Sequence, residues 1–203
     1  MIEFVAETGS TNSDLAQRVA NGETGLERRW LVARRQTSGR GRLGRQWDSP
    51  PGNFHGSTVV DLRADDHAAH SLALVAAIAV ADAIAATSAG AVTPTIKWPN
   101  DLLIGAAKLS GILLERNGPA VIVGVGANLE WAPQLAGRLT ICMADLLPKG
   151  APPVDVDRFA AALADCWAVH LAHWRAAPLA STVQHWLARA HPVGTALTIS
   201  EGE

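Results

Sequence analysis

The sequence predicts an α+β domain, a mixed or antiparallel sheet with helices packed on one face. Strand-like apolar runs cluster in the middle of the 203-residue chain, and helix-period runs lie toward both ends. The central runs are joined by short Gly and Asn-Gly connections, which favour hairpins. With 48% hydrophobic residues, the chain can bury a full core in one domain spanning 1–190.

Taken in order, residues 2–6 read as a short strand, and Ser10-Thr11-Asn12 opens a helix that ends near Asn21-Gly22. Thr11-x-x-Asp14 matches a capping box at its start. Apolar runs at 30–34 and 57–62 predict two strands, and a long apolar helix follows over 68–87. Strands are predicted at 93–98, 101–104, 108–115 and 120–125. Asp155 caps a helix running to Trp174, with Phe159, Leu163, Cys166 or Trp167, Leu171 and Trp174 on one face. A last helix covers 178–190.

Composition narrows the function classes. The longest apolar run, 72–81, stops at Asp82, short of the ~20 residues of a membrane span. The start MIEFVAETGS has neither a basic nor an apolar export region, so a cytoplasmic location is expected. Cys142 and Cys166 are isolated and read as reduced thiols. His67/His70 and His170/His173 are i,i+3 pairs on helical stretches and do not by themselves read as a metal site.

The most informative stretch is 34–53, RRQTSGRGRLGRQWDSPPGN, which holds five arginines and four glycines and is predicted to be non-helical. Gly39, Gly41 and Gly44 allow backbone N–H groups to approach a ligand, and Arg40, Arg42 and Arg45 add permanently charged forks for phosphate or carboxylate. Seven of the 14 arginines fall between Arg28 and Arg45, yet the net charge is −2. A local cationic site on a near-neutral protein points to a small anion more than to a nucleic-acid surface. The glycines also fit G-x-G-x-x-G, but that fingerprint must open a helix, and Pro50-Pro51-Gly52 follows here. The loop is bracketed by two buried-strand patterns, which weighs against a flexible Arg/Gly tail.

Three further patches stand out. In KWPND at 97–101, Lys97 is placed to meet a phosphate, and Asn100 with Asp101 offers hard oxygens for Mg2+ or substrate; a plain strand turn is the alternative. In KLSGILLE at 108–115, Lys108 enters an apolar strand, where it either snorkels outward or faces an anion. GVGAN at 124–128 reads by itself as a routine strand exit.

Together and in this order, Ser10-Thr11-Asn12, Gln36, GRGRLGRQW, KWPND, KLSGIL and GVGAN resemble the biotin protein ligases over about residues 1–195. The resemblance implies the class II synthetase-like catalytic fold of biotin and lipoate ligases. It also implies ATP-dependent formation of biotinyl-5'-AMP with Mg2+, then transfer of biotin to one lysine of a biotin carboxyl carrier domain. By the match, Ser10, Thr11, Asn12, Gln36, Gly39, Arg40, Arg42, Trp47, Lys108 and Gly111 would hold biotin. Arg42, Arg45, Trp47, Asn100, Gly126 and Asn128 would meet the nucleotide, Lys108, Arg42, Arg45, Lys97 and Asp101 would serve the chemistry, and Asn100 and Asp101 would take Mg2+.

Attack of a carboxylate on ATP gathers anions, so it needs fixed cations and orientation more than a nucleophilic side chain. The sequence departs from the family pattern at Asn53-Phe54-His55-Gly56-Ser57, where a Leu/Tyr-rich strand is usual. Residues 191–203 look like the start of the small C-terminal β-barrel of these ligases, without the rest of it, and no N-terminal helix-turn-helix is expected, hence no DNA partner. A homodimer stays open. A lipoate or octanoate transferase of the same fold and a non-catalytic RNA-binding module are the alternatives; the Arg-rich loop argues for the biotin branch.

Overall fold

The computed structural model describes residues 1–27 and 29–197. Among the described residues, seven strands form one sheet in the order β1-β2-β3-β7-β6-β5-β4. They are β1 (Ile2–Val5), β2 (Trp30–Ala33), β3 (Phe54–Asp61), β4 (Thr95–Lys97), β5 (Asp101–Ile104), β6 (Ala107–Asn117) and β7 (Ala120–Ala127). Only β1 and β2 pair in parallel, because helix α1 (Thr11–Ala20) forms a crossover between them; the other neighbours are antiparallel. The sheet is therefore mixed, as predicted.

Alternation along each strand sends successive side chains to opposite faces. One face carries Val32, Phe54, Val60, Val121, Val123 and Val125, and buries them with the helices α2 (Leu72–Thr87) and α3 (Val156–Ala176). Trp30, Phe54, Phe159 and Trp167 interlock there, with ring centroids 5.1 to 6.2 Å apart. Gly56 leaves room for that cluster, since a Cβ on it would strike the Phe54 ring. Among the described residues, 69–87 is the one helical stretch long and apolar enough to cross a membrane; it contains α2, which lies in this core. Helix α4 (Leu179–Leu187) closes the layer, and the Arg189 carbonyl accepts from Ile96 N–H of β4 at 2.8 Å.

The predicted layer of helices on one face holds for α2 to α4. Helix α1 lies on the other face, where Leu15 packs with Leu26, Leu31, Val59, Ala120 and Ile122. The strand residues of this set alternate with those of the larger core, so the β1-α1-β2 connection had an apolar strip to cover on that side.

Two local expectations need correction. The capping box does not form: Ser10 is the N-cap and makes no side-chain cap bond, while Asp14 accepts from Thr8 Oγ1 at 2.6 Å. The Thr11 hydroxyl instead reaches across to Ser57 Oγ, at 2.6 Å. β3 begins at Phe54, three residues before the predicted start, because His55 and Ser57 are buried polar residues on alternating strand positions and mask the apolar pattern. The Arg-rich loop contains one 3-10 turn, Arg42–Gly44, with Leu43 at φ 59°, and no α-helix. Asp155 caps α3 as predicted, accepting from Arg158 N–H at 2.7 Å. The residues 191–197 form a turn and irregular chain, and the rest of the barrel-like stretch, 198–203, lies outside the described residues.

Leu15 is the side chain through which α1 grips the sheet. Leu15→Ala is expected to destabilise the fold by about 2 to 5 kcal/mol, as for other buried leucines, measured as a lower urea midpoint with an unchanged m-value.

Candidate active site

The face that α1 covers changes character along β7. Ala120 and Ile122 pack beneath α1, and the next two residues of that face are Gly124 and Gly126. A Cβ on Gly124 would collide with the Asn12 amide, and one on Gly126 with the Trp47 indole. On β6, Gly111 stands opposite Gly126 and would press a Cβ against Trp47 and Lys108. The strands thus expose bare backbone as a floor, and side chains from elsewhere rest on it. Above it lies a cleft of about 510 Å3 lined by α1, the Arg-rich loop, the 97–101 turn and the 133–140 segment.

One end of the cleft is neutral and polar. Gln36 Oε1 accepts from Thr11 N–H at 2.8 Å, and Gln36 Nε2 donates to Ser49 Oγ at 3.0 Å. Ser57 Oγ donates to Asn12 Oδ1 at 2.6 Å, and Asn12 Nδ2 donates to Glu115 Oε2 at 2.7 Å. Glu115 also pairs with Arg40, which in turn donates to Ser13 Oγ at 3.0 Å. Ser10, Thr11, Asn12 and Ser57 are all buried.

The other end is cationic. A bulge in β6 inserts Leu109 between Leu103↔Lys108 and Leu102↔Ser110. It shifts the alternation by one, so that Lys108 and Gly111 share the cleft face while Leu109 and Ile112 both enter the core. Lys108 Nζ lies 2.5 Å from Asp101 Oδ1 and 5.2 Å from the Trp47 ring centroid. Burial pushes the Lys108 ammonium below the usual lysine range; Asp101 opposes this, and Arg138 and Arg45 add to it. Arg42 donates to Asn100 Oδ1 at 3.3 Å, and Asn100 Nδ2 holds the Ile112 carbonyl at 2.8 Å. Asn128 Nδ2 donates to the Ile141 carbonyl at 3.1 Å, fastening the 133–140 segment's return to β6.

The structure therefore brings together in one cleft Ser10, Thr11, Asn12, Gln36, Arg40, Arg42, Arg45, Trp47, Lys97, Asn100, Asp101, Lys108, Gly111, Gly126 and Asn128. Gly39 is the exception. It does not line the cleft, and a Cβ there would meet the Trp47 carbonyl and Ser49 Oγ, so it lets the loop fold on itself. Sequence reading missed Ser57, Ser49, Glu115 and Arg138. Ser57 and Glu115 become legible only with register, since β3, β7 and β6 set Ser57, Gly124 and Leu113 side by side, with Glu115 two residues further along the same face. Gly124 and Gly126 make the floor and are more than a strand exit.

This arrangement has known counterparts. A family model described as the Biotin/lipoate A/B protein ligase family matches residues 9–128. The chain belongs to that family. It is 37% identical to a biotin--[acetyl-CoA-carboxylase] ligase of Paracoccus denitrificans, over 98% of this chain and 85% of that protein. A Mycobacterium tuberculosis ligase of the same name is 37% identical over 86% of this chain and 65% of its own length. The fold matches the Aquifex aeolicus biotin protein ligase in complex with biotin and ATP, with a TM-score of 0.81 at 23% identity over 93% of this chain and 78% of that one. It also matches the Leishmania major biotin protein ligase in complex with biotinyl-5-AMP, again with a TM-score of 0.81 at 23% identity, over 100% of this chain and 86% of that one.

Within this member of the family, the departure at Asn53–Ser57 is the entry to β3. Asn53 Oδ1 accepts from the N–H groups of Leu129, Glu130 and Trp131, at 3.0 to 3.1 Å, and so anchors the chain after β7. His55 lies opposite Gly126 and is buried, with Nε2 3.1 Å from the Pro50 carbonyl. That carbonyl can only accept, so the ring proton sits on Nε2, and Nδ1 is left buried without a partner among the described residues. Burial lowers the His55 pKa to about 4. A neutral histidine in the fold that protonates more readily when unfolded gives full stability above about pH 6.5 and loses it as pH falls toward 4. His55→Gln should remove about 1.5 kcal/mol of the stability lost between about pH 6.5 and 5. Urea titrations of both proteins at the two pH values check this, and equal losses would refute it.

Proposed function

We propose that this chain activates biotin with ATP and transfers it to a lysine of a biotin carboxyl carrier domain. The observation that carries the reading is the two-ended cleft: a neutral hydroxyl and amide chain, Gln36-Thr11-Ser57-Asn12, faces a cation group of Lys108, Arg42, Arg45 and Arg138 across a glycine floor. A ligand that is a neutral urea at one end and a carboxylate at the other fits both ends. In the first step a carboxylate oxygen attacks the α-phosphorus of ATP and pyrophosphate leaves. In the second, a deprotonated lysine amine attacks the acyl carbon of the mixed anhydride and AMP leaves.

The residues act by placement and charge. Lys108, desolvated and flanked by arginines, is held on Asp101 until a carboxylate and phosphate supply better counter-charge. Arg42 and Arg45 stand at the rim for the phosphates, and Trp47 offers its indole face above Gly111 and Gly126. Mg2+ would come with the nucleotide and offset phosphate charge. Among the described residues no three His, Cys, Asp or Glu side chains cluster as a metal site. Asp101 fits as a single carboxylate ligand alongside phosphate oxygens and water. Asn100 is the weaker donor, its oxygen being already taken by Arg42.

The lipoate reading is disfavoured by the same polar chain. A dithiolane has no donor for the acceptor positions that Thr11 Oγ1 and Gln36 Oε1 keep open, and leaving one such group unmet costs about 1 to 3 kcal/mol. Calorimetry should therefore show biotin binding about 5- to 150-fold more tightly than lipoate; equal affinities would overturn the assignment. Arg42→Gly should loosen retention of the adenylate, because one charge-assisted contact is worth about 1.5 to 3 kcal/mol, or about 10- to 150-fold in dissociation rate. Mass spectrometry of an unrelated protein incubated with the variant, biotin and ATP should then show more biotinylated lysines than with the wild type.

A further inference from the structure

We infer that Glu115 is a positioning residue that sets the proton order of the neutral end of the cleft, and that this order creates the acceptors for a ligand with two N–H groups. The inference rests on the biotin reading above and adds a residue that does not line the cleft.

The order follows from what each group can donate. A carboxylate only accepts, so the amide nitrogen of Asn12 must face Glu115 Oε2, at 2.7 Å, and Asn12 Oδ1 must face inward. That oxygen takes the single hydroxyl proton of Ser57 at 2.6 Å. Ser57 can then only accept from Thr11, also 2.6 Å away, so the Thr11 proton is committed to Ser57. The other end is pinned independently. Ser49 Oγ donates to the Trp47 carbonyl at 3.1 Å and so accepts from Gln36 Nε2. Gln36 Oε1 then faces Thr11, with only the Thr11 backbone N–H donating to it. In this order Thr11 Oγ1 accepts nothing from the described residues, and Gln36 Oε1 keeps a free lone pair.

The opposite order is also fully bonded, so geometry alone does not choose. If the partner of Asn12 were a donor, Asn12 would turn its nitrogen to Ser57, Ser57 would donate to Thr11, and Thr11 would donate to Gln36 Oε1, 3.1 Å away. That chain consumes one acceptor position on Thr11 Oγ1 and one on Gln36 Oε1. A cyclic urea presents two N–H donors and one carbonyl, and the reversed chain has two fewer acceptors to offer it. The negative charge of Glu115, held by Arg40 at 3.4 Å, selects the order that a urea needs.

Glu115→Gln tests this because it keeps the shape. Arg40 demands the oxygen of the introduced amide, so the amide nitrogen faces Asn12 and the chain reverses without losing a hydrogen bond. In biotin-dependent pyrophosphate exchange, KM for biotin should rise about 10-fold or more, the cost of one ligand hydrogen bond. The KM for ATP and the melting temperature should stay as in the wild type. Adding Asn12→Asp to Glu115→Gln should restore biotin affinity, since a carboxylate at position 12 accepts both from the introduced amide nitrogen and from Ser57. If KM for biotin does not move in the single variant, or rises equally for ATP, or is not recovered by the double variant, Glu115 does not set the order. A wild-type chain that shows no biotin-dependent exchange overturns the functional reading itself, and this inference with it.

Discussion

The site depends on one constraint, that a strand hands alternate residues to opposite faces. β7 uses its two faces for unrelated purposes. Val121, Val123 and Val125 enter the core under α2 and α3, while Ala120 and Ile122 support α1 and Gly124 and Gly126 stay bare. Since the glycines contribute no side chain to either core, the helical layer must supply the stability of the strand on the reverse side. The dense packing of Phe54, Phe159, Trp30 and Trp167 behind the sheet is the counterpart of the empty floor in front.

Helix α1 joins the two halves of that front face. Leu15 fixes it to the sheet, and its first turn, with the N-cap before it, delivers Ser10, Thr11 and Asn12 to the cleft. The expected capping box would have used the Thr11 hydroxyl on the helix itself. Here that hydroxyl is spent on Ser57, so the helix end and the cleft share one set of polar groups. The cationic end follows a similar logic with opposite chemistry. Lys108 is buried beside Asp101 with Arg45 and Arg138 near, a group of charges that gains most from an incoming anion.

Much of this was legible in the sequence. Strands and helices were readable where apolar periodicity was unbroken, as in α2 and β5, and the Arg-rich loop, KWPND and KLSGIL pointed to the cleft because charge and glycine in apolar surroundings need a reason. What escaped was whatever depends on register or on a change of phase. Ser57 and His55 are polar residues inside a strand, and they hid the start of its alternation. Glu115 looks like the solvated end of a strand until β6 is laid against β7 and α1 is placed over both. Thr11-x-x-Asp14 fits a capping box by local chemistry alone, and only the arrival of Ser57 from 46 residues away decides otherwise. The side to which α1 packs was equally hidden, since both faces of the sheet offer apolar strips.

At the Leu109 bulge, β6 also changes its backbone partner. From Ser110 onward it pairs with β7, whereas Lys108 N–H donates to the Leu139 carbonyl at 2.8 Å and the Lys108 carbonyl accepts from Ile141 N–H at 3.1 Å. The bulged residue is not idle either, because its carbonyl accepts from Asn128 N–H at 3.0 Å. A strand one residue shorter, with the bulge removed, would still present Lys108 and Gly111 on one face, since a spacing of two does so in a regular strand. What it would lose is the fork at which one strand holds β7 on one stretch and the 139–141 chain on the next. The extra residue thus ties the wall of the cleft to its floor, and the buried lysine of the cleft stands at the branch point where the two are joined.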